Sequence, residues 1–301
     1  MSEIARAYAV YKRQQYNASY NSGTQKWSVD IPSGSESSYS EDNHTYPIEL
    51  HAFDAAGNET IMYATDPTYG DQLNIRVLEK TKPTATIISP TQGSVLGSAT
   101  QDIKMELQDA GGSGLNMASV IFKVNNAQVT QGVSWTDQGG KKVCTYHATN
   151  LSDGSNSVSL QVTDNDGNVS DVATVSFVIS TSAPTLNVTS PKDNLLTNSN
   201  KVTVAGTAAA GSDAVTLASV KVNGTSVPIS QGAFSIEVTL TEGENTITIV
   251  AEDSIGKTTT VTRHVTVDTK APVISDVEAE ATTVDANSTI HLTFKVVDPA
   301  D

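Results

Sequence analysis

Apolar and polar residues alternate along this chain in short runs, broken by Gly, Asn, Asp, Ser and Pro. Three runs are near copies. Ile48, Leu50 and Ala52 precede Phe53-Asp54-Ala55-Ala56-Gly57-Asn58. Val158, Leu160 and Val162 precede Thr163-Asp164-Asn165-Asp166-Gly167-Asn168, and Ile247, Ile249 and Ala251 precede Glu252-Asp253-Ser254-Ile255-Gly256-Lys257. A period of two closing on Asp-x-x-Gly predicts a half-buried strand and a tight turn. A second strand-like run follows each turn, then a proline-bearing linker at 79–83, 181–184 or 268–272. No long segment keeps a 3.6-residue apolar period, so helix is expected to be scarce.

The third copy sets a template of seven strands near 185–189, 201–206, 217–222, 226–229, 233–240, 245–252 and 257–267, with Asn223-Gly224 as a hairpin signal. Seven short alternating strands with regular turns predict an all-β antiparallel β-sandwich. The second copy follows the same plan: 84–88, 102–107, 115–124, a hairpin across Gln138-Gly139-Gly140, 157–163 and 169–179. The first copy reads as strands at 7–11, a hairpin of 15–20 with 25–31, then 47–53 and 59–63; the first two template strands have no counterpart. Residues 272–277 and 289–297 read as those two strands of a fourth copy. The expected organisation is 1–82, an atypical or incomplete sandwich domain; 83–181 and 182–270, two complete sandwich domains; and 271–301, the first strands of another. Short proline-bearing links predict an elongated rod. Two readings of the ends stay open: a longer protein continuing past Asp301, or head-to-tail self-association in which the incomplete terminal units complete one another by strand addition.

The Asp-x-x-Gly phrase, the linkers and the Ser-Pro after the first strand (Ser89-Pro90, Ser190-Pro191) resemble tandem bacterial immunoglobulin-like domains. The resemblance covers 83–301 and, more loosely, the first unit. It implies cell-surface proteins, adhesins, modules beside the catalytic domains of secreted glycosidases, or phage tail and capsid proteins. The localisation expected is extracellular, cell surface or virion. The opening Met-Ser-Glu-Ile-Ala-Arg lacks the apolar core of a signal peptide, which tilts this reading toward a phage structural protein.

Composition narrows the partners. A net charge of −15 repels phosphate backbones and anionic membranes, so neither nucleic acid nor membrane insertion is expected. A single cysteine, Cys144, excludes an intrachain disulfide. The five histidines (His44, His51, His147, His264, His291) fall in no metal or catalytic spacing, and no nucleophile elbow or phosphate loop occurs. No enzyme activity, cofactor or resident metal is expected. The Asp164 turn lacks EF-hand spacing, with Gly fourth and Val175 twelfth. Calcium between domains, with Asp268, Asp298 and Asp301, is the weaker alternative.

Tyrosine is unevenly placed: of nine, all but Tyr146 lie before residue 80, among Asn, Ser and Gly. That mixture suits an adaptable contact surface. Aligning the three copies puts His51 and Phe53 on the outer face, where an aromatic side chain needs a cover: a ligand, another subunit or the 64–76 stretch. Tyr16 and Tyr20 share a face of the predicted hairpin, while Trp27, Val29 and Ile31 fill the core. Tyr16, Tyr20, His51 and Phe53 are therefore the candidate surface for a protein or glycan ligand. The expected function is a non-catalytic structural or adhesive array; the alternative is a carbohydrate-binding accessory region of a secreted polysaccharide-degrading enzyme.

Overall fold

The computed structural model describes residues 3–299, and strands dominate them. Helix is confined to a 3-10 turn at Asp42–His44 and one turn of α-helix at Gly70–Leu73 among the described residues. The chain divides into two compact units, Met1–Ser94 with Thr100–Phe177 and Val95–Ala99 with Val178–Asp301.

The second unit holds the most complete sandwich. One sheet has the order Thr185–Ser190, Lys201–Ala209, Ala233–Thr239, Ile229–Ser230. The other has Leu195–Thr197, Thr258–Val267, Gly243–Asp253, Leu217–Val222, Thr225–Val227. These are the A-B-E-D and C-F-G sheets of the immunoglobulin fold. Inward positions alternate along each strand: Val202 and Val204, Val220 and Val222, Ile247, Ile249 and Ala251, Val265 and Val267 form one buried core with Phe234. Each fully buried Val or Ile stabilises the fold by roughly 1.5–3 kcal/mol relative to an exposed one. Leu195–Thr197, which the periodicity does not reveal, runs parallel to Thr258–Val267; three residues are too few to show a period.

The Thr84–Ser89, Gln101–Gln108, Lys141–Ala148 and Thr136–Gln138 strands form the matching sheet of the second copy. Gly154–Asp164 lies between Leu115–Val124 and Ala173–Ile179 in its partner sheet. Ile103, Met105, Leu107, Phe122, Leu160 and Phe177 are buried between them.

The first sheet runs Gln14–Asn17, Ile4–Tyr11, Tyr46–Asp54, Glu59–Met62, with Asn74–Ile75 paired to the start of Tyr46–Asp54. Its inner face carries a small cluster of Tyr11, Tyr46 and Val77, joined by Tyr16, Ile31, Ile48 and Ile75. The expected single hairpin of 15–20 with 25–31 is divided. Gln14–Asn17 turns back on Ile4–Tyr11 across Lys12 and Arg13, both at positive φ (48° and 63°). Only Ser19–Asn21 pairs with Lys26–Ser28. Lys-Arg is no turn signature, so the sequence pattern hides this reversal. At the other end, Val273–Ala279 and Leu292–Val297 pair antiparallel, and the side chains of the latter are exposed.

Candidate functional site

The three Asp-x-x-Gly turns have one geometry. Asp54 Oδ1 accepts the amides of Ala56 and Asn58, each at 2.9 Å. Asp164 Oδ1 accepts those of Asp166 and Asn168, and Asp253 Oδ1 those of Ile255 and Lys257. Gly57, Gly167 and Gly256 take φ of 89°, 96° and 82°, which a side chain disfavours. The aspartate is thus a turn clamp in each copy.

The register of that turn places His51 and Phe53 together on the outer face of the first sheet. Tyr8 faces His51 across the strand pair and Arg6 faces Phe53. The Tyr8 ring stacks on His51 at 4.6 Å and reaches Phe53 at 5.9 Å, and the Arg6 guanidinium lies 4.1 Å above the Phe53 ring. Phe53 is covered by Arg6 and Tyr8, through a cation–π contact and ring stacking. The 64–76 stretch instead joins the sheet at Tyr46. His51 is held between carboxylates: Nδ1 is 2.7 Å from Glu59 Oε1 and Nε2 is 3.5 Å from Glu49 Oε2. Arg6 and Tyr8 were not candidates by sequence; the signal that would have found them is their pairing opposite Phe53 and His51.

The other two candidates lie apart from this cluster. Tyr16 pairs opposite Ala9 and packs against the inner cluster of Tyr11, Tyr46 and Val77, so it faces the core side of the sheet. The reading that put it beside Tyr20 on a contact surface is corrected: the break at Ala18 separates their strands. Tyr20 is exposed and lies 5.4 Å from Trp27. Trp27 and Val29 are half-buried and, with Ala7, Leu50, Ala52 and Met62, line a cleft of about 350 Å³ on the inner face.

Carboxylates converge at the linker between the first sheet and the second sandwich. Glu79, Asp109 and Asp164 each place an oxygen within 4.8 Å of the others, and Glu79 and Asp164 are 4% and 1% exposed. Burial pushes Asp164 up, but hydrogen bonds from the Asn168 side chain and amide and from the Asp166 amide outweigh it and hold the carboxyl below its usual range. These are the residues able to hold a metal ion. They come from a linker, a loop and a strand end, so no local spacing announces them. Of the interdomain calcium candidates, Asp268 Oδ1 accepts the Lys270 amide, Asp298 is exposed, and Asp301 lies outside the described residues. Burial raises the pKa of the Cys144 thiol, the character of a core residue.

Residues 184–269 match the family model of glucodextranase, domain B. Bacillopeptidase F of Bacillus subtilis (strain 168) is 28% identical over 159 residues, which is 52% of this chain and 11% of that protein. The chain therefore spans about a tenth of the curated relative it matches. Among solved structures, the fibronectin(III)-like modules of Clostridium thermocellum CbhA cover 62% of this chain and 94% of their own, at 19% identity and a TM-score of 0.35. Titin domains A168–A170 cover 86% of both chains, at 9% identity and a TM-score of 0.41. The sheet order itself defines the class: tandem Ig-like β-sandwich modules. Among the described residues no helix is long and apolar enough to cross a membrane.

Proposed function

We propose that this chain is a non-catalytic array of Ig-like modules in an extracellular, cell-surface or virion protein, and that its first sheet makes the contact. The observation carrying this reading is the outer-face ring cluster. At matching registers the first sheet presents Arg6, Tyr8, His51 and Phe53, where the third sandwich presents Ser219, Lys221, Val250 and Glu252. Planar rings flanked by Glu49 and Glu59 offer stacking surface and hydrogen-bond acceptors to a protein or a glycan. The remaining modules space and present that surface.

A second reading, an accessory region of a secreted polysaccharide-degrading enzyme, draws on the match of 184–269 to glucodextranase domain B. The readings separate on a glycan array probed with the full chain, its Tyr8→Ala/Phe53→Ala variant and a Lys221→Ala control. Glycan binding lost in the double variant supports the accessory reading. Capture of a surface or virion protein, lost in the same variant, supports the adhesive one. Binding of either kind that survives the double variant removes the first sheet from the role.

A further inference from the structure

We propose that copies of this chain join head to tail, the hairpin of Val273–Ala279 and Leu292–Val297 in one copy closing the open inner face of the first sheet in the next. The hairpin carries one apolar face. Leu292, Phe294 and Val296 alternate along its second strand, and Ile274 stands opposite Val296. These four side chains are between 53% and 62% exposed. The reverse face is more polar, with Ser275, Thr293 and Lys295. Among the described residues the two strands pair only with each other. A two-stranded hairpin is marginal in water and needs a third strand or a packed layer to hold it.

The first sheet offers both. Its inner face holds the cleft of about 350 Å³ lined by Ala7, Trp27, Val29, Leu50, Ala52 and Met62. In the third sandwich, Val202 and Val204 of Lys201–Ala209 share one core with Ile247, Ile249 and Ala251. Leu292 and Phe294 keep the spacing of the first pair, and Ile48, Leu50 and Ala52 keep that of the second set. The hairpin and the sheet thus carry the two halves of the same core. The strand edges match as well. Lys201–Ala209 also pairs antiparallel with Ala233–Thr239. The strand in that place in the first unit is Lys26–Ser28, which among the described residues pairs with Ser19–Asn21 alone. Leu292–Val297 likewise has a partner on one side only. Joining these two open edges is strand addition, and it brings the apolar face of the hairpin over Trp27 and Leu50.

A second copy is the occupant that satisfies all of these features at once. A small apolar ligand would fill the cleft, yet leave the Lys26–Ser28 edge unpaired and the hairpin face bare to water. The joint is heterologous, because each copy offers one hairpin and one cleft. Growth therefore gives rings or filaments rather than closed two-fold dimers. Arg6, Tyr8, His51 and Phe53 lie on the other side of the sheet and stay free in such an assembly. The inference is thus independent of what those rings bind.

The test is analytical ultracentrifugation of the full chain over about a hundredfold range of concentration. The mass is expected to rise with concentration past that of a dimer. Phe294→Asp and Leu50→Asp should each return it to the monomer, because either one puts a carboxylate into an apolar joint. Mixed together, the two variants should form heterodimers and nothing larger: the first keeps its cleft and the second keeps its hairpin. Leu196→Asp, at an exposed apolar position elsewhere, should associate as the wild type does. A wild type that stays monomeric throughout overturns the proposal. So does a mixture of the two variants that stays monomeric. Association that survives Phe294→Asp but not Leu50→Asp also overturns it, since the first sheets would then be pairing with each other. Should Leu50→Asp fail to fold, Met62→Asp on the same cleft takes its place.

Discussion

Leu50 and Ile249 occupy the same place in the same strand. Each is the middle of three alternate apolar residues before an Asp-x-x-Gly turn, yet Ile249 is 0% exposed and Leu50 is 36% exposed. Leu160, the second copy, is also fully buried. The strands are equally well formed, and each pairs antiparallel with neighbours on both sides. The difference lies across the sheet. Ile249 faces Val202, Val204 and Phe234 of an opposing sheet. Among the described residues Leu50 faces Trp27, Val29 and a cleft, and no opposing sheet like that of the other copies covers it. Alternation builds a strand; only a second layer turns its apolar face into a core.

The comparison breaks most sharply on truncation. Ile249→Ala should cost about 2–5 kcal/mol, by lost transfer energy and the cavity left behind. Leu50→Ala should cost about 1 kcal/mol, since water already reaches that side chain. Denaturant unfolding of the full chain with each variant measures both, and equal losses would mean that the first sheet has an unseen cover.

The turn clamps give the next largest effect. Asp164→Ala and Asp253→Ala each remove a buried carboxylate and orphan two half-buried backbone amides, for about 1–3 kcal/mol. Asp54→Ala removes the same bonds where the turn is exposed and water can replace them, so its loss should be the smallest of the three. Comparing the three unfolding midpoints ranks them.

Cys144 gives a readout of layer closure. Buried in the second sandwich with its thiol pKa raised, it should resist a thiol reagent in the native chain and react on unfolding. Rapid native labelling would show that this sandwich opens as readily as the first sheet is already open.

The smallest effect is on pH. Asp193 is held below the usual carboxylate range by the His264 backbone amide first, and then by the His264 ring. A depressed carboxyl pKa contributes stability above its unfolded value and loses it as pH falls through the folded one. Stability of the wild type should therefore drop more between pH 5 and pH 2, to use approximate bounds, than that of Asp193→Asn. A parallel fall in both would remove this pair from the acid response.

Much of the architecture was legible because a period of two survives in the residues themselves. Val202 and Val204, or Ile247 and Ile249, announce inward faces without any knowledge of the partner sheet. The outward placement of His51 and Phe53 followed from the same register. Features that depend on two or three residues were not legible: the Leu195–Thr197 strand, and the reversal at Lys12-Arg13 that moved Tyr16 into the inner cluster and away from Tyr20.

By itself, then, the sequence determined the strands, their turns and the face each side chain takes, since alternation and the Asp-x-x-Gly clamp act over neighbouring residues. The tertiary structure alone decided what covers those faces. It set Arg6 over Phe53, left Leu50 beside a cleft, and gathered Glu79, Asp109 and Asp164 from three distant segments. Burial and charge convergence are sums over neighbours in space, and no spacing along the chain encodes them.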